Sequence, residues 1–340
     1  MDSNVSKNTF SHNFFKVRLT QEQAVISLRS LLAERLLQTL NLYQQRWNLP
    51  LDSRFFPTII DANGILSCSV GQILPLKNQG NQILFKPSIT AIVYSSPISF
   101  TLTRYSSLFS ITIAKNLLEL LTLNHDHNTI EPNLKLGIEI AADGWLNFYL
   151  TPQALSTWLQ QLMIGLNTYA IQASVSNVNL IDATDQSISN AAKKANILPI
   201  QYAHARCCSL LRLGEQAKLI AFKKDSNDHT WQIQDPLSIS WLDQQQNFCL
   251  EGASEYYLLQ QLSIVIDAFA NANKSDNWVK LGMNLSVASE IFQAECRFLG
   301  EVAITTPNIA IARLGLIALV RYWLEKILQE KLKVIAPRSL

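Results

Sequence analysis

The sequence predicts an α+β domain followed by a mainly α-helical bundle, and three observations carry that prediction. Residues 54–100 break into short apolar segments punctuated by Gly64, Gly71, Pro75, Gly80, Pro87 and Pro97, which favours strands and turns. LKLGIEIA and GWLNFYL flank Ala142-Asp143-Gly144, the chemistry of a strand–turn–strand unit. After Pro199 the apolar residues recur mostly at helical spacing. At roughly 100–200 residues per domain, 340 residues accommodate two such units.

In order along the chain, residues 1–20 are polar and form an expected flexible tail. A helix is expected from about Thr20 to Trp47, with Leu28, Leu31, Leu32, Leu36 and Leu40 on one face and Pro50 beyond its end. The strand-like stretch 54–100 follows, then a helix over Tyr105–Leu121 striped by Leu108, Ile111, Ala114, Leu118 and Leu121. The two strands of 134–150 lead into a helix over Thr151–Ala170, opened by Pro152 at a position that suits proline. Its apolar residues, Leu155, Trp158, Leu159, Leu162, Met163 and Leu166, form a one-sided stripe, so the charge-free run 144–181 reads as an amphipathic helix and not a membrane span. The α+β domain is thus placed at 21–168, with a polar, weakly periodic linker at 169–195. The helical domain occupies 196–340, carries an irregular insertion at 218–250, and has further helices near 255–271, 286–299 and 308–332.

Composition narrows the function. With 28 Lys+Arg against 26 Asp+Glu the net charge is +2, too small for a non-specific nucleic-acid binder but compatible with a local basic patch. No two glycines lie closer than seven positions, so dinucleotide fingerprints and phosphate-cradling loops are absent. The five cysteines contain no C-x-x-C and read as reduced thiols of a cytoplasmic protein. His125 and His127 lack companions for a tetrahedral metal site, and no nucleophile–base array is visible. No cofactor, metal or catalytic residue is expected.

Three stretches of the second half bear on function together: IQYAHARCCSLLR at 200–212, FQAECRFLGE at 292–301, and ARLGLIALVRYWLEKIL through APRSL at 312–340. In order and spacing they resemble the anticodon-binding domain of arginyl-tRNA synthetases, the helical domain named for its Asp-Ala-Leu-Arg motif. Tyr105–Lys115 and Gly144–Leu150 similarly resemble the additional N-terminal domain of those enzymes. The family's catalytic domain, with its His-x-Gly-His and Lys-Met-Ser-Lys loops, would lie between the two. Here about thirty residues stand in its place, below the roughly 50–250 a domain needs. The resemblance implies a class Ia anticodon-binding-like bundle, binding of tRNA (arginine tRNA in the first instance) or another structured RNA, and no arginine activation by this chain alone.

The RNA-contact candidates under that resemblance are Tyr202, His204, Arg206, Arg297, Arg313 and Arg338, with Tyr105, Phe109 and Asn147 in the N-terminal domain. Tyr202 and Arg206 share a helical face, where a base can stack on the ring and the guanidinium can meet phosphate. Each candidate has a structural alternative. Tyr202 and His204 can pack between helices, and Arg206 can pair with a carboxylate. Arg297 can pair with Glu301, Arg313 and Arg321 can sit on a solvated face, Phe109 can be core, and Asn147 can satisfy local backbone. The chain departs from the family at Arg104 and Leu108, at Gln293-Ala294, and in its last three residues, Arg338-Ser-Leu, where the family reads Glu-Arg-Met and approaches the anticodon loop. A second function class, a protein-interaction scaffold, stays open: Phe222, Trp231, Trp241 and Phe248 of the insertion would anchor a protein partner if they were exposed.

Overall fold

Helix α1, Leu28–Trp47, shows how local chemistry sets an element here. Ser27 caps it by accepting from the Ser30 amide at 3.0 Å, and Leu28, Leu32, Leu36, Leu40 and Tyr43 bury one stripe. The computed structural model describes residues 27–47, 58–60, 66–68, 74–75, 91–123, 135–141, 144–173, 189–224, 229–270 and 277–339. The tail expected at 1–20, the start of the first helix at Thr20, and the histidines at 125 and 127 lie outside them.

Strands β1 (Thr58–Ile60) and β2 (Leu66–Cys68) pair antiparallel. Strands β3 (Leu74–Pro75), β4 (Val93–Ser96), β5 (Leu136–Ile140) and β6 (Leu146–Leu150) form an antiparallel sheet of order β3-β4-β6-β5. Strands β5 and β6 pair antiparallel, with Ile138 opposite Phe148 and Glu139 opposite Asn147. The Gly144 amide donates to the Ala141 carbonyl between them, while Ala142 and Asp143 of the expected turn lie outside the described residues. Gly144 sits at φ +104°, and a Cβ there would lie 2.9 Å from the Ser110 carbonyl carbon, so the turn accepts glycine on two counts. Between β4 and β5 run a short helix α2 (Ile98–Leu102), one 3₁₀ turn (Thr103–Tyr105) and α3 (Ser110–Leu123). The helix expected from Tyr105 therefore starts five residues later, after a bent connection. Helix α4 covers Pro152–Ala173; Thr151 caps it by accepting from the Ala154 amide, and the six predicted stripe residues are all buried.

Helix α5 spans Ser189–Gln216 and passes through Pro199, so it occupies part of the expected linker. Strands β7 (Ala221–Lys224) and β8 (His229–Asp235) pair antiparallel, and helices α6 (Ala253–Ala270), α7 (Trp278–Glu295), α8 (Glu301–Thr305) and α9 (Pro307–Lys326) complete the bundle. A π turn over Ile327–Lys331 ends α9, and residues 333–339 then run back along α5 as a strap. The described chain is mostly helical with a small antiparallel sheet, an α+β region followed by a helical one. Among the described residues, α9 with its π turn is the one helix long and apolar enough to cross a membrane, and 67% of its most apolar stretch is buried inside the protein.

Segment 218–250 differs from its expected role as an irregular insertion with an aromatic surface. Phe222, Trp241 and Phe248 are buried, and Trp231 is half-buried. Gly315 of α9 makes room for this segment: a Cβ there would meet Ile239 Cδ1 at 2.4 Å and Trp241 Cη2 at 2.8 Å. The four aromatics serve the core, so they do not supply the exposed anchor on which the partner expectation depended.

The two halves share one apolar core that runs from Leu28 to Ala336. A buried carboxylate ties them as well. Asp267 of α6 accepts from Ser27 Oγ at 2.7 Å, from the Arg29 amide at 3.1 Å and from the Tyr94 hydroxyl of β4 at 2.8 Å.

Candidate nucleic-acid interface

The helical spacing of α5 sorts its candidate residues by face. Tyr202 and Arg206 lie one turn apart and both are exposed, Tyr202 by 49%. Arg206 forms no hydrogen bond or ion pair among the described residues, so neither its charge nor its donors are spent inside the fold. His204, two positions from each, is fully buried. Its Nδ1 stands 2.8 Å from the Pro337 carbonyl oxygen, which only accepts, so Nδ1 carries the proton. Nε2 is then the acceptor facing the Cys208 thiol at 3.9 Å. Burial holds this imidazole below its ordinary 6.5, against the pull of the Pro337 carbonyl in the other direction. His204 is therefore an internal fastener and not an RNA contact.

Two of the arginines change role. Arg313 Nε donates to Glu255 Oε1 at 2.8 Å, and its Nη1 donates to the Arg297 carbonyl at 2.5 Å. Glu255 also accepts from the Gly252 amide at 2.7 Å, half of a capping box at the start of α6. Arg313 thus clamps α9 to the first turn of α6 and to the α7–α8 loop. Arg321 is buried where a solvated-face charge was expected, with Nη1 3.1 Å from Glu325 Oε2. Arg297 keeps an exposed side chain; among the described residues it has no ion pair with Glu301. Arg338 is exposed, and its carbonyl accepts from Arg212 Nη2 at 2.5 Å.

In the N-terminal region, Phe109 precedes α3 and is 80% exposed, so it is not core. Its carbonyl receives the Thr112 and Ile113 amides, which starts the helix. Tyr105, Leu108, Ile111 and Trp145 are exposed around it, and Gly144 packs onto Ser110 beside them. Asn147 faces the other way in function: its Oδ1 accepts from Ser95 Oγ at 2.6 Å across the β4–β6 ladder. It is a cross-strand tie, the bland alternative for that residue.

The strap is the feature that spacing did not reveal. Gln201 Nε2 donates to the Ile335 carbonyl at 2.8 Å, His204 to that of Pro337, and Arg212 to that of Arg338. Among the described residues, no group of three or more His, Cys, Asp or Glu is placed to hold a metal.

The fold and this site define an α+β unit joined to a helical bundle whose first helix, α5, presents an exposed aromatic–cation face. Comparison of the chain with protein-family models, with curated proteins and with solved structures found no match.

Proposed function

We propose that the protein binds tRNA or a related structured RNA through the helical domain, as an arginyl-tRNA-synthetase-like chain without the catalytic core. The bundle is read as a class Ia anticodon-binding-like domain, working in the cytoplasm and without ligation by this chain alone. The observation that carries the reading is the exposed pair Tyr202 and Arg206 on α5, one ring and one unspent guanidinium on the same face. Single-stranded loops are read by such pairs, with bases stacked on aromatics and phosphates on arginine. Exposed Arg297 adds a second unspent cation, and the Tyr105–Phe109 connection adds an aromatic surface on the N-terminal region. Arg313, His204 and Asn147 leave the contact set because internal partners occupy them.

The test is binding of labelled arginine tRNA to the full chain across a salt series, with total tRNA as competitor. The logarithm of the affinity should fall linearly with the logarithm of the salt concentration. Arg206→Ala should weaken binding and reduce the salt slope by about 1. Tyr202→Ala should weaken it about 5- to 100-fold with the slope intact, the worth of one stacked base. No binding at low salt would overturn the reading. It would favour the protein scaffold instead, for which the exposed Leu108, Phe109, Ile111 and Trp145 around one turn are the supporting observation.

A further inference from the structure

Helix α5 carries a second functional face beside the one that bears Tyr202. His204, Cys208 and Arg212 follow at i, i+4 and i+8, under the strap and against α9. The Arg212 guanidinium carbon lies 5.6 Å from the centroid of the Trp231 ring of β8, and that of Arg321 lies 5.3 Å from the same ring. Arg321 is 6% exposed. Its Nη1 is taken by Glu325, but among the described residues its Nε has no acceptor, and neither has the buried indole N–H of Trp231. Leaving a buried donor unmade costs about 1–3 kcal/mol, and folded proteins rarely leave two at one ring. Trp241 and Trp323 also bury an indole N–H without an acceptor, yet among the described residues no cation rests on either ring. The cluster around Trp231 is different because the unmade donors coincide with two arginines over one ring. Of the nearby carboxylates, Glu325 is bonded to Arg321 Nη1, and Glu215, one turn beyond Arg212, spends Oε1 on the Phe222 amide.

We propose that Arg212, Arg321 and Trp231 form a phosphate-binding site edged by the strap, whose Arg338 carbonyl stands in for one phosphate oxygen on Arg212 until a phosphate group displaces it. The donors come from three elements, α5, α9 and β8, which suits an oxyanion with acceptors spread in a tetrahedron better than a planar carboxylate. The strap is a weak competitor. Its backbone bonds to the bundle stop at Val334, whose amide donates to the Leu328 carbonyl at 2.9 Å; beyond that, Gln201, His204 and Arg212 hold it by its carbonyls. An arginine–phosphate pair joins two ions and can be bidentate, whereas the carbonyl offers one neutral acceptor, so exchange at Arg212 favours phosphate. The phosphate source is inorganic phosphate or an RNA backbone, and only the second source rests on the RNA-binding reading.

The experiment titrates the full chain, Arg212→Gln, Trp231→Phe and a chain stopped after Leu332 with inorganic phosphate. Sulfate serves as the ionic control, and an RNA stem-loop forms a separate arm. Calorimetry and hydrogen exchange of the strap amides are the readouts. Phosphate should bind the full chain at one site, speed exchange at the Val334 amide, the strap N–H bonded to the bundle, and lose about tenfold in affinity in Arg212→Gln. The shortened chain should bind about tenfold tighter, because no strap bond must be broken. Phosphate binding that Arg212→Gln leaves unchanged, or that moves no strap amide, marks an adventitious ion only and overturns the proposal. So does absence of phosphate binding to the full chain, even where RNA still binds through Tyr202. If the shortened chain does not fold, the exchange data on the full chain decide. Loss of the RNA arm with phosphate binding intact overturns the RNA reading and leaves this site standing.

Discussion

Replacing Asp267 with alanine removes the acceptor for three donors at once: the Ser27 hydroxyl, the Arg29 amide and the Tyr94 hydroxyl. Asp267 is 6% exposed and Tyr94 fully buried, so water does not readily replace the lost oxygens. At about 1–3 kcal/mol for each orphaned donor, with partial relaxation, the expected cost is about 3–5 kcal/mol, a large share of an ordinary folding free energy. Asp267→Asn keeps Oδ1 for Ser27 and Arg29 and forces only the Tyr94 hydroxyl to turn, so it should cost about 1 kcal/mol at neutral pH. The pH dependence separates the two effects. Burial, against the three donors, holds the Asp267 carboxyl above its ordinary 3.8. Over the interval between 3.8 and the raised value the folded chain therefore binds the proton that the unfolded chain has lost, and stability falls as pH rises. Asparagine has no such slope, so the advantage of wild type over Asp267→Asn should narrow between pH 4 and pH 7. Urea unfolding of the three proteins at pH 4, 5.5 and 7, followed by circular dichroism, measures both quantities. A gap that widens with pH, or an alanine variant within 1 kcal/mol of wild type, would refute the reasoning.

Two further predictions concern the core. Gly315→Val should destabilise by more than about 2 kcal/mol, because the new side chain enters the space of Ile239 and of a buried Trp241 ring; denaturant melts check this, and a neutral result would show that segment 236–250 can move aside. Burial also pushes the Cys207 thiol up from 9.0 to about 12. The folded thiol keeps its proton where the unfolded one loses it, so stability should decline from pH 9 toward 12 by up to about 4 kcal/mol, and Cys207→Ala should flatten that decline in alkaline unfolding curves.

Where periodicity was long and one-sided, the sequence was a sufficient guide. The stripe from Leu155 to Leu166 and the antiparallel pairing of Leu136–Ile140 with Leu146–Leu150 fold as their residues dictate, since local pattern and burial agree. Pro199 misled because a proline after a polar stretch resembles a helix start; Ile200 on the buried face of α5, packed near Gly282, shows tertiary packing carrying the helix through it. Segment 218–250 lacks period and so read as peripheral, although its aromatics fill the space above Gly315. At the candidate interface, spacing placed Tyr202 and Arg206 on one face, and both are exposed there. It gave no access to the partners that remove others: Glu255 lies 58 residues from Arg313, and Pro337 lies 133 from His204. Asp267 did leave a trace, as a lone carboxylate in the apolar run SIVIDAFA.

The strap also has an evolutionary reading. Gln201, His204 and Arg212 grip carbonyl oxygens, which every amino acid supplies, while Ala336 alone turns a nearly buried side chain inward. Selection on the fastening therefore falls on the three donors of α5 and on the small size of residue 336. Position 335, whose side chain is exposed, is free to drift among lineages without unfastening it.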